Sequence, residues 1–228
     1  MIENSESAQG NGRLIEVSAG AVILTGNLRI PENAHGMVLL AHGSRNTSDG
    51  HYNKNFAPIF HASGLATLSV DLISEEEDRL DKETGFFRDN ASILSQRILG
   101  VASWLTENAE TQKYSIGYFG VGIVGAAALM AAAERPDIIH AVVSCGGRLD
   151  GVQSYLSGVQ APTLLITNGQ DTREVALSQE ALSQLSTPLA GDKKVEIVAG
   201  AAQLLPYKLV YVAQLANEWF IRHLVAIM

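Results

Sequence analysis

Tyr114-Ser115-Ile116-Gly117-Tyr118-Phe119-Gly120-Val121-Gly122-Ile123-Val124-Gly125-Ala126-Ala127-Ala128-Leu129 decides the fold. Its first six residues read as a buried strand. From Ala126 to Glu134 the chain is alanine-rich, which favours helix, and it stops before Pro136. Between the two lies a turn with three glycines. A strand that passes through a glycine turn straight into a helix is one half of a βαβ unit.

The same alternation extends in both directions. Upstream, Leu14–Ser18 and Ala21–Ile30 are β-rich runs broken by Ala19-Gly20, an antiparallel hairpin signal. Met37–Ala41 and Leu65–Val70 are short apolar runs suited to buried parallel strands. Residues from about Asn90 to Leu105 carry Ile93, Leu94, Ile98, Val101 and Trp104 at helical spacing. Downstream, Ala141–Cys145, Thr163–Thr167 and Val195–Val198 read as strands, and Leu209–His223 as a last helix. The expectation is a mostly parallel sheet of about eight strands, opened by an antiparallel hairpin and covered by helices on both faces. Residues 1–12 are small and polar and read as a flexible arm; 13–228 read as one domain.

The chain has 228 residues, 46% of them apolar and 18% charged, which excludes a disordered chain. A formal net charge of -8 argues against a nucleic-acid partner, which needs a basic face. No apolar run is long enough to span a bilayer, and the acidic start is unlike a signal peptide, so a cytoplasmic protein is expected. A single cysteine, Cys145, excludes an internal disulfide framework, and no spacing suggests a metal site.

In a parallel sheet the ligand site lies beyond the carboxyl ends of the strands. Those ends are His42-Gly43-Ser44, Asp71, Gly120–Gly125, Cys145–Arg148, Gly169-Gln170-Asp171 and Ala201-Ala202-Gln203. In this order, with Ala161-Pro162-Thr163-Leu164-Leu165-Ile166 and Glu218-Trp219-Phe220, they resemble the α/β-hydrolase fold and its dienelactone-hydrolase-like family. The resemblance implies a nucleophile at a strand-to-helix elbow, an acid after a later strand and a histidine before the last helix. Here the nucleophile position holds Gly122, which can form no acyl-enzyme. The acid is retained as Asp171. The histidine position holds Gln203, whose amide is no general base. No serine, cysteine or threonine lies between Ser115 and the Ser144-Cys145 pair ending the next strand, so a shifted register restores nothing. Val124 stands where the family implies a small residue and is expected to crowd the elbow.

Other residues invite a role. Cys145 is either a cleft thiol or a buried structural one. His42 is a base or a structural hydrogen-bonder, and His51, in the loop Gly50-His51-Tyr52-Asn53, either reaches the cleft or is solvated. The backbone N–H groups of Ser44 and Ile123, with Gly43 shaping the loop, form the expected oxyanion hole. Asp171 either serves a ligand or bonds its own loop. Glu75-Glu76-Glu77-Asp78 reads as a solvated loop or helix start.

These readings converge on a small-molecule pocket protein: a ligand-binding pseudoenzyme or a non-hydrolytic enzyme of lyase, isomerase or cyclase type. The expected partner is a small organic molecule, anionic or carbonyl-bearing, with no cofactor and no membrane. Two alternatives stay open. One is an atypical hydrolase whose water is activated by Asp171. The other is dinucleotide binding through Gly120-Val121-Gly122-Ile123-Val124-Gly125, a G-x-G-x-x-G between strand and helix.

Overall fold

The computed structural model describes residues 12–43, 48–187, 189–199 and 206–225. The expected arm, apart from Gly12, lies outside them, as do Ser44 and Gln203. Strands β1 (Arg13–Ala19) and β2 (Val22–Arg29) pair antiparallel from Arg13↔Leu28 to Ala19↔Val22. Their two-residue turn uses Gly20 at φ 70, a left-handed conformation that hairpin turns require. Next come β3 (Gly36–His42), α1 (Ser48–Ala62), β4 (Leu65–Asp71), α2 (Glu75–Thr84), α3 (Ala91–Glu107), β5 (Ile116–Val121) and α4 (Ile123–Glu134). The chain continues as β6 (Ile139–Cys145), α5 (Gln153–Leu156), β7 (Thr163–Asn168), α6 (Thr172–Gln184), β8 (Lys193–Val198) and α7 (Pro206–Leu224).

The eight strands form one sheet in the order β1-β2-β4-β3-β5-β6-β7-β8. β2 joins β4 antiparallel, and every pairing from β4 to β8 is parallel. Helices α1 and α7 close one face over Val38, Leu40, Phe119, Val143 and Ile166. There Phe56 meets Phe119 at a 55° tilt with ring centroids 4.7 Å apart, and Phe60 meets Phe220 edge-on at 5.7 Å. Each of these buried rings contributes roughly 1.5–3 kcal/mol of burial. The other face holds Leu39, Leu68, Tyr118 and Val142 under α3 and α4. Val124 to Ala132 of α4 are all buried. A helix enclosed on every side has no polar stripe, and its alanines let α3 and the sheet approach closely.

One segment departs from the sequence reading, and a second decides between two readings that the sequence left open. His51 lies in α1, not in a loop: Phe56, Ile59 and Phe60 dock this helix on the sheet although its first turns are polar. The acidic run 75–78 is the first turn of α2. Ser74 caps it, accepting from Glu77 N while Glu77 Oε2 accepts from Ser74 N. Negative charge at a helix N-terminus is favourable, so four acids in a row are stable there.

Candidate functional site: an elbow without a side chain

Gly122 sits between β5 and α4 with φ 59 and ψ -129, a conformation that L side chains rarely adopt. Its N–H donates to Cys145 O at 2.9 Å, which ties the turn to β6, and its carbonyl accepts from Gly125 N at 3.1 Å. The turn is tight because its neighbours are glycines. A Cβ on Gly120 would lie 2.7 Å from Gly125 N, and one on Gly125 would collide with Ser144 Oγ. At Gly122 the space is open: among the described residues, a Cβ there meets nothing within 4 Å. The glycines of the G-x-G-x-x-G pattern are thus accounted for by close approach at Gly120 and Gly125 and by backbone conformation at Gly122.

Val124 does not crowd the elbow, contrary to expectation. It is buried, and its Cγ2 lies 3.9 Å from where a Cβ of Gly43 would stand. Gly43, which follows β3, is thereby brought against the first turn of α4. The first N–H groups of that turn, Ile123 among them, have no intrahelical acceptor. Arg88 stands beside the same loop, its Cβ 3.8 Å from the Gly43 position. The segment carrying it is fixed by the fully buried Asp81, whose Oδ1 accepts from Phe87 N at 2.6 Å and Arg88 N at 3.1 Å.

Asp171 is exposed and caps α6, its Oδ1 accepting from Arg173 N and Glu174 N at 3.0 Å each. Glu174 reaches back toward the strand ends. Its Oε1 accepts from Thr167 Oγ1 at 2.9 Å and Asn168 N at 3.1 Å, and lies 4.0 Å from the Cβ position of Gly146. Sequence reasoning passed over Glu174, although Asp171-x-x-Glu174 has capping-box spacing and could have flagged it.

Cys145 is buried in the apolar layer under α1 and α7, so it is not a cleft residue. His42 is not free to act at the elbow. Its Nδ1 is 2.9 Å from Asp71 Oδ1 and its Nε2 is 3.0 Å from Ser69 Oγ, both on β4. The side chain of His51 lies outside the described residues. Among the described residues no three His, Cys, Asp or Glu side chains gather as a metal site, and no helix is long and apolar enough to cross a membrane.

No family model matches the chain. Among solved structures it is similar to dienelactone hydrolase from Anabaena variabilis, at 43% identity over 93% of this chain and 98% of that one, with a TM-score of 0.87. It also superposes on Est1E from Butyrivibrio proteoclasticus at 14% identity, covering 92% and 98% of the two chains with a TM-score of 0.72, a likeness of fold alone. Among curated proteins it is 37% identical over 212 residues to a Mycobacterium tuberculosis protein described as "Putative phosphoribosyl transferase". That match takes in 92% of this chain but 46% of the relative, so the chain spans less than half the length of that protein. With 43% identity across nearly the whole of both chains, an eight-stranded sheet and a strand-to-helix elbow in place, this chain belongs to the dienelactone-hydrolase-like family of the α/β-hydrolase fold.

Proposed function

We propose that the elbow of this chain binds where its relatives' elbows attack. The observation that carries this is Gly122: the backbone turn is kept, the side chain is absent, and no described residue fills the space above it. A nucleophile at this point would be held by strain of about 1–3 kcal/mol, which glycine avoids. The opening is lined by main-chain donors at the positive end of α4, which favours a carboxylate or a polarised carbonyl oxygen. The ligand is therefore a small acidic or carbonyl-bearing molecule with Ile123 N–H as a donor; Ser44, the second donor expected from the sequence, lies outside the described residues. The protein acts either as a ligand-binding pseudoenzyme or as a non-hydrolytic enzyme of lyase, isomerase or cyclase type.

Asp171 has a capping role that accounts for its retention without a histidine partner. Phosphoribosyl transfer is not assigned to this chain, since that description belongs to a protein more than half of which has no counterpart here.

The test is turnover of p-nitrophenyl acetate by the purified protein and by its Asp171→Asn variant. The reading predicts no turnover that depends on Asp171. Turnover abolished by Asp171→Asn would show water activation at that acid and overturn it.

A further inference from the structure

β8 ends the sheet, and among the described residues no strand lies beyond it. Such an edge offers main-chain donors and acceptors to any strand that comes alongside. Lys193-Lys194-Val195-Glu196-Ile197-Val198 alternates its side chains between the two faces. Val198 is buried in the layer under α7, so Lys194 and Glu196 share that face, with Nζ and Oε2 2.8 Å apart. Lys193, Val195 and Ile197 take the opposite face, which α6 covers. There Val195 packs against the core, and Lys193 Nζ donates to Leu185 O, just past the end of α6, at 3.1 Å. Ile197 is 51% exposed.

α6 lies over β7 and β8 and runs against their direction. Glu174, in its first turn, meets Thr167 and Asn168, the residues paired with Ile197 and Val198. Leu185, at its far end, meets Lys193. The middle of α6, near Gln179, is therefore level with Val195. Arg173, 3.7 Å from Asp150, marks the flank of α6 turned away from β8, toward the segment after β6. At 3.6 residues per turn Val175 and Leu182 lie on the opposite flank, above the edge, and both are partly exposed.

Symmetry limits what can pair with this edge. A two-fold axis normal to the sheet sets two copies of β8 antiparallel and keeps each face on its own side. One residue must then stand opposite its own copy. Centred on Lys194 or Glu196, the pairing puts like charges directly across from each other, which is destabilising. Centres nearer either end pair fewer residues. Centred on Val195, the pairing sets Lys194 opposite the partner's Glu196 and Glu196 opposite the partner's Lys194, so the four charges alternate in sign on one face. On the other face Val195 meets its own copy, and the stem of Lys193 covers the partner's Ile197. Val175 and Leu182 of the two α6 helices close over this apolar strip. Strands lie ~4.8 Å apart, so helices standing over the last two strands of each sheet come within about 10 Å, the distance at which helices pack.

We propose that this chain forms a two-fold dimer through β8, centred on Val195, which joins two eight-stranded sheets into one continuous sheet. The partner is a second copy, because the sequence of β8 is complementary to itself in charge and in shape. The elbow takes no part in the interface, so this proposal and the ligand-binding reading stand or fall separately.

The test is light scattering on the full chain as it leaves a sizing column, over a dilution series that starts at tens of micromolar in low salt. The expected mass is twice that of one chain. Lys194→Glu replaces both attractive pairs by like charges and is expected to weaken the dimer roughly 10-fold or more. Adding Glu196→Lys to it reverses both members of each pair and is expected to restore the dimer. Ile197→Lys, at an exposed position, sets a second cation against the partner's Lys193 and is expected to weaken the dimer as well. Glu16→Lys, on the opposite edge strand β1, is expected to leave it unchanged. The melting temperature of each variant shows whether it is folded. A monomeric parent chain overturns the proposal. So does a folded Lys194→Glu or Ile197→Lys variant that dimerises like the parent, a folded double variant that stays monomeric, or a dimer lost on Glu16→Lys.

Discussion

Substituting Gly122 by alanine, serine and leucine in turn should cost nearly the same stability each time. The reason is local. At φ 59 and ψ -129 any L side chain is strained, at a cost of about 1–3 kcal/mol set by the backbone. Beyond Cβ the side chain enters space that is open among the described residues, none of which lies within 4 Å of that atom. Size therefore adds little. At ~2–4 °C per kcal/mol for a chain of this length, the three variants should melt roughly 2–12 °C below the parent and close to one another. Gly120 and Gly125 give the contrast. Their Cβ positions meet main chain at 2.7 Å and 3.0 Å respectively, so even alanine must displace α4 from the sheet, and larger residues should cost progressively more. The assay is thermal or urea unfolding of each series. If the cost at Gly122 climbed by more than about 1 kcal/mol from alanine to leucine, the site would be packed, not open, and the reasoning would fail.

Other expectations are as direct. Asp171→Ala removes the cap of α6 and should destabilise by about 1 kcal/mol, read by unfolding. Asp81→Ala strips the acceptor from Phe87 N and Arg88 N inside the protein and should cost roughly 2–5 kcal/mol, enough to be visible as a large drop in melting temperature. His61, beside Thr67, is held down at about 4 from 6.5 by burial and then by Arg29. Its folded form resists protonation more than its unfolded form does. Stability is therefore complete above the unfolded value and falls as pH drops from 6.5 toward 4, and His61→Gln should flatten that part of a melting-temperature profile.

The fold was legible because its strands are short apolar runs that nothing else explains. Met37–Ala41 and Thr163–Thr167 read as buried parallel strands and are so. Helix α1 was not legible, because His51 and its neighbours are polar and the apolar anchors begin only at Phe56. That the elbow carries a glycine was plain from the residue at 122. Whether the gap was filled was not, since crowding by Val124 depends on which way that side chain packs, and it packs toward Gly43. The approach of His42 to Asp71 and Ser69 escaped for a different reason. Ser69-x-Asp71 announces two side chains on one strand face, but only the β3–β4 register brings His42 to them.

The central claim is that the opening above Gly122 is a seat for a small oxygen-bearing ligand. The most direct measurement is a calorimetric titration of the parent chain and its Gly122→Leu variant with a panel of short carboxylates and lactones. A hydrogen bond to a charged group contributes about 1.5–3 kcal/mol, so filling the opening should weaken binding by roughly 10-fold or more while the variant stays folded. Equal affinity in the two proteins would place the ligand elsewhere and contradict the account.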